Sequence, residues 1–99
     1  MGAKARPKQK ALSGKLLQIR NSLGLSQSKM LKRLGAEELI EYNRISEFET
    51  GKGEPPLRIL LQYARVANVW TDVLIDDDLD LPAKLPSAKK HEGVRRRRS

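Results

Sequence analysis

Apolar residues recur at helical spacing through the first third of the chain. One face of a helix is formed by residues at i, i+4, i+7 and i+11, namely Leu12, Leu16, Ile19 and Leu23. Gly24 suits the end of this helix, because glycine adopts the left-handed conformation without a Cβ penalty. A second, shorter apolar face follows between an N-cap at Ser26 and Gly35, which predicts a second helix.

The residues that follow do not fit one helical phase. Tyr42, Ile45 and Phe48 recur at a spacing of three. The apolar residues before them, Leu39 and Ile40, do not continue this spacing. We therefore expect a loop or short turn of helix at 36–40 and a third helix over about 41–50.

The pattern predicts a fourth helix that is buried on most of its faces. Pro55 and Pro56 suit its start, where the missing N–H costs nothing. From Leu57 to Ala67 only one narrow stripe is polar and should face water, formed by Arg58, Gln62 and Arg65.

A fifth, short helix is predicted to follow and to end before the acidic run that starts at Asp76. Thr71 can cap it, and Trp70 can pack across to Ile75 as a hydrophobic staple. Trp70 is therefore expected in the core or in a dimer contact. Five short helices without a strand signal predict an all-α domain over residues 12–78.

The positive charge of the chain lies at its two ends. Twenty Lys and Arg residues exceed twelve Asp and Glu, for a net charge of +8. Residues 1–12 carry +4 and 79–99 carry +5, whereas 13–78 carry −1. We therefore predict basic, disordered tails at 1–11 and 79–99. Such tails either bind phosphate backbones by counterion release or only keep the domain soluble.

The sequence lacks the residues that most catalytic and metal sites need. It has no cysteine and one histidine, His91, which excludes a thiol nucleophile and the usual zinc sites. No glycine-rich loop has P-loop spacing. No apolar run approaches the ~18–20 residues of a membrane span. We expect no enzymatic activity, metal, cofactor or membrane contact, and a soluble cytoplasmic protein.

An ordered set of residues runs through all five predicted helices, over about two-thirds of the chain. Its members are Leu25-Ser26-Gln27, Leu34-Gly35, Ile45-Ser46, Glu49, Gly51, Pro55, Leu60, Ala64, Val69 and Leu74. This set resembles the phage repressor/Cro-type (XRE-like) helix-turn-helix family of bacteria and phages. The resemblance implies a single five-helix, lambda-repressor-like domain. Its third helix would enter the major groove of DNA while the second crosses the backbone.

The resemblance also implies which side chains of the third helix face the bases. Tyr42, Asn43, Arg44 and Glu47 take those positions. Asparagine can bind adenine in a bidentate manner, arginine can bind guanine, and glutamate can accept from cytosine. Tyr42 either reads a base or packs against the domain.

Further positions match contacts to the DNA backbone or within the protein. Gln27, Thr50 and Lys52 take the places of phosphate contacts, and Gln27 would also orient the third helix. Lys29, one turn inside the second helix, is a further candidate phosphate contact. In addition, the resemblance implies a buried ion pair between the first and third helices, formed by Arg20 and Glu49.

The chain departs from the family pattern before the third helix. The stretch from Gly35 to Ile45 spans ten residues, which is longer than the short turn of the family. The extra residues lie within 36–40 and bring Glu37 and Glu38 close to where DNA would lie. They could tilt the third helix, or extend it at its N-terminus so that the two acids point away.

Three functions remain open at this stage. The first is a sequence-specific DNA-binding transcriptional regulator that occupies an operator as a nucleoid-associated homodimer, with the fourth and fifth helices supplying the interface. The second is the antitoxin of a toxin–antitoxin pair, which binds a toxin protein through an acidic surface. That surface would comprise Glu37, Glu38, Glu41 and Glu47. The third is a non-specific nucleic-acid binder that acts through its tails.

Overall fold

Five α-helices and no strand make up the part of the chain that the computed structural model describes, residues 10–86. They are α1 (Leu12–Leu23), α2 (Gln27–Arg33), α3 (Asn43–Thr50), α4 (Leu57–Ala67) and α5 (Thr71–Ile75). The all-α prediction is confirmed. The predicted tails fall largely on residues 1–9 and 87–99, which lie outside the described residues.

The predicted ends of the first three helices agree with the structure to within about two residues. Gly24 ends α1 at a φ of 70° and Gly51 ends α3 at a φ of 84°, both in the left-handed region. The Ser26 hydroxyl caps α2 by accepting from the Lys29 backbone N–H at 3.1 Å. α3 begins at Asn43, so the extra residues do not extend it at its N-terminus.

The structure corrects the expected cap of the fifth helix and one of the two places expected for Trp70. Thr71 is the first helical residue rather than the N-cap, which is Trp70. Trp70 is half exposed and does not belong to the core, so a dimer contact is the alternative that stays a prediction. The buried positions on either side of the helix start are taken by Val69 and Leu74 instead.

The exposed face of α4 is wider than the predicted polar stripe. Leu57 is 84% exposed and Leu61 is 38% exposed, although the opposite face is buried against the core. The segment that follows α2 leaves a groove beside Leu61 rather than covering it. This neighbour is distant in sequence, so the periodicity of α4 could not reveal the gap.

The core joins one face of each helix. Its largest fully buried side chains are Tyr63 and Phe48, accompanied by Leu16, Ile19, Met30, Leu34, Ile45, Ile59 and Leu74. Burial of these apolar surfaces supplies the main stabilisation of the domain. It also fixes α3 on α1, because Ile45 and Phe48 are its two buried residues.

The packed part of the chain extends beyond the predicted boundary at residue 78. Leu81 is buried in the core cluster, and Leu85 packs against it. The backbone carbonyls of Pro82 and Pro86 accept from Gln18 at 3.3 Å and Asn68 at 3.2 Å. Two leucines and two hydrogen bonds from side chains therefore hold residues 81–86 against the domain. Their charge and proline content had instead predicted a tail.

The N-terminus of α1 is capped from a distant part of the chain. Asp77 accepts from the backbone N–H of Ala11 at 3.0 Å and of Lys10 at 2.9 Å. Conversely, the buried Lys15 side chain of α1 donates to the carbonyl oxygens of Val73 and Asp76, at the end of α5. The two contacts fasten α1 and α5 together at one end of the domain.

We expect the Asp77→Asn variant to melt at a lower temperature than the wild type at pH 7. The N–H groups of Ala11 and Lys10 lower the pKa of Asp77 below its ordinary value of 3.8. The carboxylate therefore stabilises the fold above that value, and its contribution is lost as the pH falls through the lower, folded pKa. Melting curves between pH 7 and pH 2 should converge at the acidic end. A constant difference across that range would contradict the assignment.

The Tyr63 hydroxyl is buried without a hydrogen-bond partner among residues 10–86. Burial raises the pKa of this phenol, so it stays neutral and its desolvation is uncompensated. We expect Tyr63→Phe to raise the free energy of unfolding by about 1 kcal/mol, since an unsatisfied buried polar group is costly. Urea denaturation checks this, with the exposed Tyr42→Phe as the control that should change little. A less stable Tyr63→Phe variant would show that the hydroxyl has a bound partner in solution.

Candidate nucleic-acid interface

A buried ion pair joins α1 to α3, as the sequence resemblance implied. Arg20 and Glu49 form a bidentate contact, with Nε to Oε2 at 2.7 Å and Nη2 to Oε1 at 3.0 Å. The Glu49 side chain is only 4% exposed. The hydrogen bonds that Arg20 donates to Glu49 raise the pKa of Arg20, which stays charged. Arg20 also donates to the Leu25 carbonyl at 3.0 Å, so the pair supports the turn between α1 and α2.

Gln27 connects α2 to the same ion pair. As the first residue of α2, it places its side-chain Nε2 at 3.2 Å from Glu49 Oε1. The network of Arg20, Gln27 and Glu49 therefore ties α1, α2 and α3 to one another. This geometry agrees with the expected role of Gln27 in orienting α3, while its phosphate contact stays a prediction.

The start of α3 presents two of the four predicted base-contact side chains to solvent. Asn43 is exposed, and Tyr42 is 58% exposed at the N-cap position. Tyr42 is therefore not part of the core, which leaves it available for contact with a ligand. The amide of Asn43 can donate and accept at once, as pairing with an adenine edge requires.

The other two predicted base-contact residues bind each other. Arg44 Nη1 lies 2.6 Å from Glu47 Oε1, and the guanidinium lies 5.5 Å from the centre of the Phe48 ring. Both charged side chains are more than one-third exposed, so the pair contributes at most about 1 kcal/mol. The i,i+3 spacing on a helix is a signal from which this pair could have been predicted.

The three remaining predicted phosphate contacts differ in their availability. Lys29 on α2 and Lys52 after α3 are exposed. The Thr50 hydroxyl donates instead to the Ser46 carbonyl at 3.0 Å. The hydroxyl would have to break this hydrogen bond before it could donate to a phosphate.

The segment between α2 and α3 carries negative charge next to Tyr42. Ala36 is buried, and its carbonyl accepts from the N–H groups of Leu39 and Ile40, which closes one short turn. Glu37, Glu38 and Glu41 of this segment are exposed. The surface next to α3 is therefore more acidic than a simple phosphate-binding surface would be.

The described residues have no net charge to attract DNA. Residues 10–86 contain eleven Lys or Arg and eleven Asp or Glu, so the whole +8 lies in residues 1–9 and 87–99. Any net electrostatic attraction to phosphates would therefore come from these two segments.

No metal centre or membrane-spanning helix is found in the described part of the chain. Residues 10–86 hold no cluster of His, Cys, Asp or Glu suited to a metal ion. No helix in that range has the length and apolar character needed to cross a bilayer. Comparison with protein-family models, curated proteins and solved structures gives no match for this chain.

Proposed function

We propose that this protein binds duplex DNA through α3 and acts as a transcriptional regulator by occupying an operator. The observation that supports this most is the buried network of Arg20, Gln27 and Glu49. It holds α2 and α3 in a fixed relation while Asn43 stays exposed at the start of α3. A helix that reads bases needs such a fixed support and an exposed set of donors and acceptors.

Arg44 can serve this function despite its pairing with Glu47. Separating an exposed ion pair costs at most about 1 kcal/mol. A bidentate arginine–guanine contact discriminates against the wrong base by about 1–3 kcal/mol, so the pairing with Glu47 costs no more than such a contact contributes to base preference. Glu47 would then accept from a neighbouring cytosine or keep one side of the guanidinium in place.

Affinity would come mainly from the terminal segments rather than from the domain. The described residues carry no net charge, and acidic side chains flank α3. Nine Lys and Arg residues in segments 1–9 and 87–99 can neutralise phosphates and release counterions. In this arrangement the domain selects the sequence, and the segments hold the protein on DNA.

Selection from a randomised duplex pool at physiological salt tests the proposal. The full chain should enrich a short motif. Asn43→Ala should relax one base position, with a loss of about 1–3 kcal/mol of discrimination there. Lys29→Ala is the matched control, and it should weaken binding evenly across sequences. Salt-sensitive binding without an enriched motif would reject base reading by α3.

A protein-interaction module of the antitoxin type is a second candidate function. Exposed Leu39 and Tyr42 lie among the acids of the segment before α3, which is favourable for a basic protein partner. A small toxin gene beside this one, together with a selection that yields no DNA motif, would favour this candidate. An enriched motif abolished by Asn43→Ala would argue against it as the main function.

A further inference from the structure

A groove separates the segment that follows α2 from the exposed face of α4. Its volume is about 640 Å³. The Gln62 side chain of α4 donates to the Leu34 carbonyl at 3.2 Å, which joins the two sides at this point. Neither the ion-pair network nor the candidate base contacts lie in this groove.

The two sides of the groove carry opposite charges. Glu37 and Glu38 line it from the segment after α2, and Arg58 and Arg65 line it from α4. All four side chains belong to exposed residues, and none forms an ion pair with any residue in the range 10–86. The monomer therefore holds two sets of complementary charges that do not meet within it.

Each side of the groove also exposes a leucine. Leu39, on the acidic side, is 55% exposed, and Leu61, on the basic side, is 38% exposed. Apolar side chains that come together at a groove can form part of a protein interaction site.

We propose that this groove binds a second copy of the chain about a two-fold axis that runs along it. Such an axis places the acidic side of one copy opposite the basic side of the other, and the reverse contact follows by symmetry. Glu37 and Glu38 then face Arg58 and Arg65, while Leu39 of each copy faces Leu61 of the other. A partner of one charge sign would be repelled by one side of the groove, whereas a second copy complements both.

A dimer through this groove would pair two DNA-binding chains, so its biological use rests on the proposed function. Self-association itself is measured without DNA. If the chain is monomeric but enriches a DNA motif, the dimer interface is rejected and base reading by α3 is not. If the chain is a dimer but Asn43→Ala leaves the base preference unchanged, base reading by Asn43 is rejected and the dimer interface is not.

Charge reversal on the full-length chain tests the interface by analytical ultracentrifugation without DNA. One variant carries Glu37→Lys and Glu38→Lys, and the other carries Arg58→Glu and Arg65→Glu. We expect a wild-type dimer and, for each variant alone, a dimer Kd raised by at least about tenfold, because like charges then face each other. Mixing the two variants should restore dimers, since opposite charges then meet at both contacts.

Control substitutions separate the groove from other surfaces. Glu41→Lys and Lys32→Glu change exposed charges outside the groove and should leave the dimer unchanged. Circular dichroism confirms that each variant is folded. A monomeric wild type, folded variants that still dimerise, or a mixture that stays monomeric would each overturn the proposal. Loss of the dimer in Trp70→Ala, with both groove variants dimeric, would place the interface on α5 instead.

Discussion

We expect the Glu49→Ala variant to lose about 3–5 kcal/mol of its free energy of unfolding, the range measured when one partner of a buried ion pair is removed. Glu49 is almost fully buried and accepts from both Arg20 and Gln27. Without the carboxylate, the Arg20 charge stays largely buried and, among residues 10–86, keeps only the Leu25 carbonyl as a partner. The loss should therefore be much larger than for an exposed pair.

Urea denaturation followed by circular dichroism measures this loss. Glu54→Ala removes an exposed glutamate after α3 and is the matched control, with an expected change of less than about 0.5 kcal/mol. DNA selection with the Glu49→Ala protein, below its unfolding transition, should give the wild-type base preference. Wild-type stability combined with lost DNA binding would show that Glu49 contacts a ligand rather than supporting α3.

Replacing the four arginines from Arg95 to Arg98 with glutamine should weaken DNA binding more than any single change on α3. Each phosphate contact contributes about 0.9 to the slope of log K against log salt concentration. The variant should therefore lose up to about 3.6 of that slope if all four arginines contact phosphates. The described domain has no net charge with which to compensate.

Fluorescence anisotropy with a labelled duplex, measured across a range of salt concentrations, gives the slope. Asn43→Ala is the control, because it removes a neutral side chain and should change base preference without changing the slope. An unchanged slope in the arginine variant would show that the domain itself makes the phosphate contacts. Lys29 and Lys52, both exposed, would then be the first residues to examine.

The local sequence was sufficient to predict most of the helix boundaries. The ends at Gly24 and Gly51 and the cap at Ser26 depend on the conformational preferences of a few neighbouring residues. The resemblance supplied the Arg20–Glu49 pair across 29 residues, which periodicity alone could not have paired.

Contacts between distant segments were not readable from any local pattern. Asp77 caps a helix 66 residues away, although its position in an acidic run suggested only a helix end. Leu81 is buried although it lies between Asp80 and Pro82. Trp70 is half exposed, whereas Val69 and Leu74 near it in sequence are buried in the core.

Part of the candidate site could be predicted from the sequence, and part of it required the tertiary structure. The type and order of the residues on α3 could be read from the sequence, because side chains on one short helix keep their spacing. The spacing of Arg44 and Glu47 allows the two side chains to pair. Whether they do pair depends on their rotamers, which the spacing does not determine. The groove between the segment after α2 and α4 required the tertiary fold, since its two sides are separated by about twenty residues.

The sequence by itself determined the helical class, most helix boundaries and the concentration of positive charge at the two ends. Each of these depends on residues that are neighbours along the chain, or on composition. Only the tertiary structure decided where α1 is capped, how far the folded part extends and which leucines of α4 stay exposed. Those features depend on which distant side chains fill the space around a residue, and that follows from packing of the whole domain.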